Sequence, residues 1–303
     1  MNRIIILLSC LFLSFSSFSQ DDLLSFLDDE NEEFLTFATF KSTKIINLQS
    51  VEQTKKDELN FVISHRFGTL NSGIVELYGL DYGSIRMSFD YGLTDDITIG
   101  LARSSSYKVI DASMKGRLIT QGRKKFPFTI SVYSSVFYDT LSPRWDNDDL
   151  LKNDFSFVNQ ILIAKKINSN LSIQISPTFT YYNFPSPYPW QNPQTGIPIN
   201  VNKRMYALGI GGRYKVSRSV SVNSEWIPII GSNSDMIHPF KNKTIINSFS
   251  VGCDIETGGH VFQLFLTNSE TMFERGFINE NTELWKDGGI HFGFNISRPF
   301  TFN

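Results

Sequence analysis

Between Ser84 and Ser104 the chain alternates strictly. Ile85, Met87, Phe89, Tyr91 and Leu93 are apolar, while Ser84, Arg86, Ser88, Asp90 and Gly92 between them are polar or small. After the turn Thr94-Asp95-Asp96 the same period resumes at Ile97, Ile99 and Leu101. A period of two with a short polar break predicts a β-hairpin. The pattern says that one face is apolar and the other polar, but it leaves open whether the apolar face meets a protein core or lipid.

The same signature recurs along the chain. It predicts about twelve strands, at roughly 58–67, 84–93, 97–104, 108–120, 126–138, 155–167, 171–183, 204–216, 219–230, 244–256, 260–270 and 288–300. Links at one end are short, such as LTDD, NSN at 168–170 and TGG at 257–259, and most links at the other end are long. That alternation of tight turns and long loops is the plan of a transmembrane barrel. The predicted strands exceed the usual soluble length of about 5 to 6 residues. They match the roughly 9 to 11 tilted residues that cross a bilayer. Tyr91, Tyr138, Tyr181, Tyr182, Tyr214 and Trp226 lie toward strand ends, where aromatic girdles sit. The prediction is an all-β, antiparallel, up-and-down transmembrane β-barrel of about 12 strands whose wet face is the lumen. An even count places both barrel ends on one side, the periplasm. The loops around 139–154, 184–203, 231–243 and 271–287 then face outward from the cell.

Composition agrees with strands that carry apolar residues singly. The chain is 41% hydrophobic and 14% aromatic, with a mean hydropathy of -0.13. Arg3 precedes an apolar run from Ile4 to about Phe15, followed by small residues around Ser17-Phe18-Ser19, so residues 1–19 read as a secretory signal peptide. Cys10 in LLSC offers lipid attachment as the alternative, but the apolar run continues through Leu11, Phe12 and Leu13, which favours ordinary cleavage near Ser19. Removal of residues 1–19 takes away Arg3 and no acid, leaving 27 basic against 30 acidic residues, a balance that invites no nucleic acid. Cys253 is then the one cysteine, which excludes an internal disulfide or a thiolate metal cluster.

Residues 20–57 form an acidic periplasmic leader with a segment, TKIINLQSV at 43–51, that reads either as a strand or as a tucked-in segment. The leader holds Asp21, Asp22, Asp28, Asp29, Glu30, Glu32 and Glu33 without a basic residue, a block that resists packing. Residues 58–303 are the barrel domain. By phase, Arg86, Asp90, Asp111, Lys115, Arg117, Gln160, Gln174, Glu225 and Asp254 point into the lumen. Charges at that depth persist when paired or hydrated, so these residues are either structural ion pairs or a selectivity lining.

The last strand, GGIHFGFNISRPF, resembles the assembly signal of outer-membrane barrels. Asp287, Gly289, Phe292 and Phe294 match polar-x-Gly-x-x-aromatic-x-aromatic, although the chain ends on Asn303 instead of an aromatic residue. Together with TFKSTKIINLQSVE (39–52), ISHRFG (63–68), FDYGLTDDITIGLARSSSYK (89–108) and GGHVFQLFLTNS (258–269), this strand is similar to a Bacteroidota family of outer-membrane β-barrels classified only as a domain of unknown function. The resemblance spans most of residues 36–300. It implies the barrel, the outer membrane, its lipid and the barrel-assembly machinery as partners, and it transfers no catalytic or binding residue.

No cofactor or metal spacing is present. His65, His238, His260 and His291 stand singly, without a His-x-x-x-His pair. GIGG at 209–212 lies inside a strand, where it permits bending or close packing. The function these features predict is non-enzymatic, a narrow pore or small-solute transporter. The alternatives are a barrel anchor whose loops or acidic leader bind a surface partner and, more remotely, a lipid hydrolase with a Ser-His dyad.

Overall fold

The computed structural model describes residues 35–140, 155–182, 204–230 and 243–302. The expected signal peptide, most of the acidic leader, Trp145, Trp190 and His238 lie outside the described residues. Within them, twelve antiparallel strands form one closed barrel. They are β1 Glu58–Thr69, β2 Gly83–Thr94, β3 Ile97–Ser104, β4 Val109–Ile119, β5 Thr129–Asp139 and β6 Phe155–Lys166. β7 Leu171–Tyr181, β8 Arg204–Lys215, β9 Val220–Ile227, β10 Ser248–Thr257, β11 His260–Thr267 and β12 His291–Thr301 complete the ring. Each strand pairs with its sequence neighbours, and β1 closes on β12 with Glu58 opposite Thr301 and His65 opposite Phe294. Closure leaves no unpaired edge, which a strand in lipid could not tolerate.

Pro228 interrupts β9 because it has no N–H, yet the ladder continues to Ile229–Ile230 in an unchanged register. Ile210 faces Trp226 and Ala207 faces Ile229 on either side of the break. The tight links gather at the end of the barrel where β1 starts and β12 finishes, and there Phe302 N–H donates to Asp57 O at 3.2 Å.

Which way each face points follows from the pleat. In β2, Ser84, Arg86 and Ser88 are buried while Ile85, Met87 and Phe89 are exposed. The outward set elsewhere includes Leu101, Met114, Ile161, Ile173, Tyr206 and Trp226, all large and exposed. An apolar outer belt over a polar inner face is the inverse of a soluble fold and suits a lipid surround.

Two expectations need correcting. Tyr182 does not join the girdle. It is buried inside, since adjacent Tyr181 and Tyr182 cannot both face lipid in a pleated strand end. Nor is the lumen uniformly wet: Tyr133, Leu162, Ala164, Ala207 and Ile227 point inward from β5 to β9 and form an apolar stripe. Strand β6 carries apolar residues on both faces, so alternation alone hid this stripe.

Candidate functional site

The lumen is filled. Residues 38–54, just ahead of β1, run into the barrel and turn back within it, and nearly all of Thr39–Val51 is buried. The turn is a small hairpin: Ser50 N–H donates to Thr43 O at 2.9 Å, Ile45 N–H donates to Leu48 O at 2.8 Å, and Lys44 bridges Gln49. Asn47 at its tip is a residue type that tolerates tight turns.

Wall residues satisfy the turn. The Glu225 carboxylate on β9 accepts backbone N–H groups from Ile46 at 3.2 Å, Asn47 at 2.9 Å and Leu48 at 3.0 Å. Gln174 on β7 accepts from Val51 N–H at 3.0 Å and donates to Gln49 O at 2.6 Å. Gln263 donates to Ile45 O at 2.9 Å and Asn295 donates to Ile46 O at 3.1 Å. Lys115 donates to Thr43 O and Ser50 O, both at 3.2 Å. The Asn47 side chain is read as well, accepting from Arg66 Nη2 at 2.7 Å and donating to Ser250 Oγ at 2.9 Å.

Ile45 and Leu48 dock against the apolar stripe with Phe40 and Val51. They fit because β8 presents glycines there. A Cβ on Gly211 would lie 2.5 Å from Ile45 Cδ1, and one on Gly209 would lie 2.8 Å from Leu48 Cδ2. The GIGG run is therefore a place of close approach, and what approaches is the hairpin.

A second segment enters from the opposite end. The long link at 271–287 folds into the barrel mouth, where Thr271–Thr282 is buried and carries a short helix, α1, Glu274–Asn279. The physical reason lies in its side chains. Phe273 packs on Phe137 at 5.7 Å beside Val109 and Val158, and Phe277 and Ile278 join the hairpin's own apolar cluster. Arg275 forms a two-pronged ion pair with Asp139, at 2.5 and 3.0 Å, a further one with Glu280 at 3.0 Å, and stacks over Tyr182 at 4.2 Å. A buried guanidinium needs such partners, and Asp139 and Tyr182 at the barrel mouth supply two of them. Trp285, at the rim, donates from Nε1 to Phe249 O at 3.1 Å and packs on that ring at 5.3 Å.

The two insertions touch. Gln49 Nε2 donates to Glu274 Oε1 at 2.8 Å and Lys44 Nζ to Met272 O at 3.4 Å. Burial lowers the Lys44 ammonium from its ordinary value, and Glu274 opposes that shift. Hairpin and helix thus form a column through the barrel.

The predicted lumen residues fall into separate duties. Arg86 pairs with Asp111, with Nη2 to Oδ2 at 2.7 Å, and this buried pair belongs to the wall itself. Asp90 lies half-buried against Gly100. Lys115, Gln174 and Glu225 hold the hairpin, whereas Asp254 binds Gln263 at 2.9 Å and steadies it from behind. Gln160 donates to Thr178 Oγ1 at 3.0 Å. Arg117 sits at the short-turn rim, 3.8 Å from Asp96. Gly289 precedes β12, and Phe292 and Phe294 are half-buried and stack with Phe67 and His65.

Sequence reasoning missed Arg66, Gln49, Glu274, Arg275 and Asn295. Arg66 and Asn295 had the right phase for the lumen, and that signal was available. His65 faces outward, with Ile85 and Phe294 as its strand neighbours, while His291 Nδ1 lies 2.8 Å from Phe67 O. His260 stands opposite Thr257 at a turn.

A family model described as a membrane bound beta barrel domain (DUF5777) matches residues 40–300. No curated protein matches. Among solved structures, the chain is similar to the COG4313 outer membrane channel from Pseudomonas putida F1, at 15% identity over 82% of this chain and 98% of that one, with a TM-score of 0.46. It is similar also to the KdgM porin, at 6% identity over 81% and 99% with a TM-score of 0.43. For Omp33 of Acinetobacter baumannii the figures are 10%, 83% and 100%, with a TM-score of 0.38.

Proposed function

We propose that this chain, which belongs to the membrane bound beta barrel domain family (DUF5777) and resides in the outer membrane, is a narrow pore for small solutes held shut by its own N-terminal hairpin and by the helical insertion that meets it. The observation that carries this reading is the Glu225 carboxylate gripping three backbone N–H groups of the turn at 46–48 inside a largely polar barrel. A wall that is polar and hydrogen-bonded to an inserted segment presents a hydrated path once that segment leaves. The hairpin belongs to no strand and is continuous with the leader, so its departure leaves the ladder intact.

A second reading, the barrel as a solid anchor, is favoured by the link between β1 and β2. Ile74 and Val75 are 74% and 89% exposed there, with Leu77 and Tyr78 beside them. Leu77 and Tyr78 hold positive φ values of 46° and 53°, a conformation that costs about 1–3 kcal/mol each and clusters at sites of contact.

Recording in planar bilayers separates the two. Leu48 is fully buried in the apolar cluster. Leu48→Asp places a carboxylate there without a partner, at a cost of several kcal/mol, and expels the hairpin, while Arg275→Met in the same chain frees the helical insertion from Asp139. The pore reading expects the wild-type chain to be nearly silent and the folded variant to conduct. A folded double variant with both insertions displaced and no conductance refutes the pore and leaves the anchor.

A further inference from the structure

The wall grips the hairpin largely by its main chain. Glu225 takes three N–H groups, Gln174 takes one N–H and gives one to a carbonyl, and Gln263, Asn295 and Lys115 donate to carbonyls of residues 43 to 50. None of these bonds depends on which side chain the hairpin carries at the position read. Side chains are selected by shape at two places, where Gly211 and Gly209 leave room for Ile45 and Leu48, three residues apart, and by hydrogen bonding at Asn47.

We propose that the lumen wall is a peptide-binding cradle, which the chain's own hairpin occupies in cis and a separate peptide segment with two aliphatic side chains three residues apart occupies in trans. The chemistry is amide recognition: a carboxylate facing consecutive N–H groups, and carboxamides and an ammonium facing carbonyls. Sugars or free ions do not offer N–H donors in succession to a single carboxylate, whereas a peptide turn does so by its covalent geometry. The apolar stripe of Tyr133, Leu162, Ala207 and Ile227 gives such a ligand a surface that a purely hydrophilic solute would not cover. This inference rests on the hairpin leaving its site, the first step of the proposed opening, because the trans ligand enters only then.

The test uses the full-length Leu48→Asp chain in detergent, with barrel folding checked by heat-dependent gel mobility and hairpin release checked by amide exchange. If the hairpin stays in place, Ile45→Asp is added. The probe is a fluorescent synthetic peptide of residues 38–54, compared with the same peptide N-methylated at Ile46, Asn47 and Leu48. The native peptide should bind. N-methylation leaves every side chain in place and removes the donors to Glu225, so it should weaken binding by about a hundredfold. A third peptide with Asn47→Ala should lose about tenfold or less, since one polar side chain contributes less than the main chain. Equal binding of the N-methylated and native peptides, or no binding to a barrel shown to be vacated, overturns the cradle. Peptide binding to the Leu48→Asp chain retains the cradle even where the doubly vacated, peptide-free barrel fails to conduct and the pore is refuted, so the two readings fail separately.

Discussion

Replacing Glu225 by Gln tests how the hairpin is held. The carboxylate receives N–H groups from Ile46, Asn47 and Leu48 at 2.9 to 3.2 Å, and all three residues are buried. Hydrogen bonds to a charged acceptor contribute roughly 1.5–3 kcal/mol each. Glutamine fills the same volume but keeps one acceptor oxygen, and it turns an N–H₂ group toward donors. One or two of the three N–H groups then lose their partner, a local cost of about 3 kcal/mol. At 1.4 kcal/mol per factor of ten, hairpin opening becomes about a hundredfold more frequent. Hydrogen exchange read by mass spectrometry reports this directly, as faster exchange across residues 43–51. Strands β5 to β7 should exchange as in the wild type, because none of their ladder bonds involves residue 225. Unchanged protection at 46–48 in a folded Glu225→Gln barrel would refute the reasoning, for it would mean that packing of Ile45 and Leu48 alone keeps the hairpin in place.

Arg275→Met should release the helical insertion. It leaves the buried Asp139 and Glu280 carboxylates without their guanidinium, a loss of about 3–5 kcal/mol, and limited proteolysis within 270–285 should accelerate while the barrel keeps its gel mobility. Cys253 faces outward between Val222 and Leu264, so its thiol should react with a lipid-soluble maleimide in vesicles and resist a charged one.

Much of the barrel was legible because a period of two is a local property. The hairpin of β2 and β3 carries its faces and its turn within about twenty residues, and the phase that pointed Glu225, Lys115 and Asp254 inward needed only their neighbours. What those groups touch was not legible. Glu225 meets residues 46–48 from some 180 positions away, and residues 43–51 show neither alternation nor helical spacing that would mark them as lumen filling. The helix at 274–279 was hidden for a related reason. Its Phe273, Phe277 and Arg275 look like loop residues until the ring formed by β4, β5 and β6 supplies Val109, Phe137, Asp139 and Val158 around them. Tyr182 read as a girdle residue from its position near a strand end, whereas its side is decided by the arginine it stacks on.

The glycines at 209 and 211 tie two remote parts of the chain into one unit of variation. A methyl group gained at Gly211 collides with Ile45, and one gained at Gly209 collides with Leu48, so neither wall position can drift on its own. Through descent, an enlargement at 211 therefore asks Ile45 to shift or shrink, and one at 209 asks the same of Leu48. A wall position in one strand and a hairpin position about 160 residues earlier are thus read by selection as a pair.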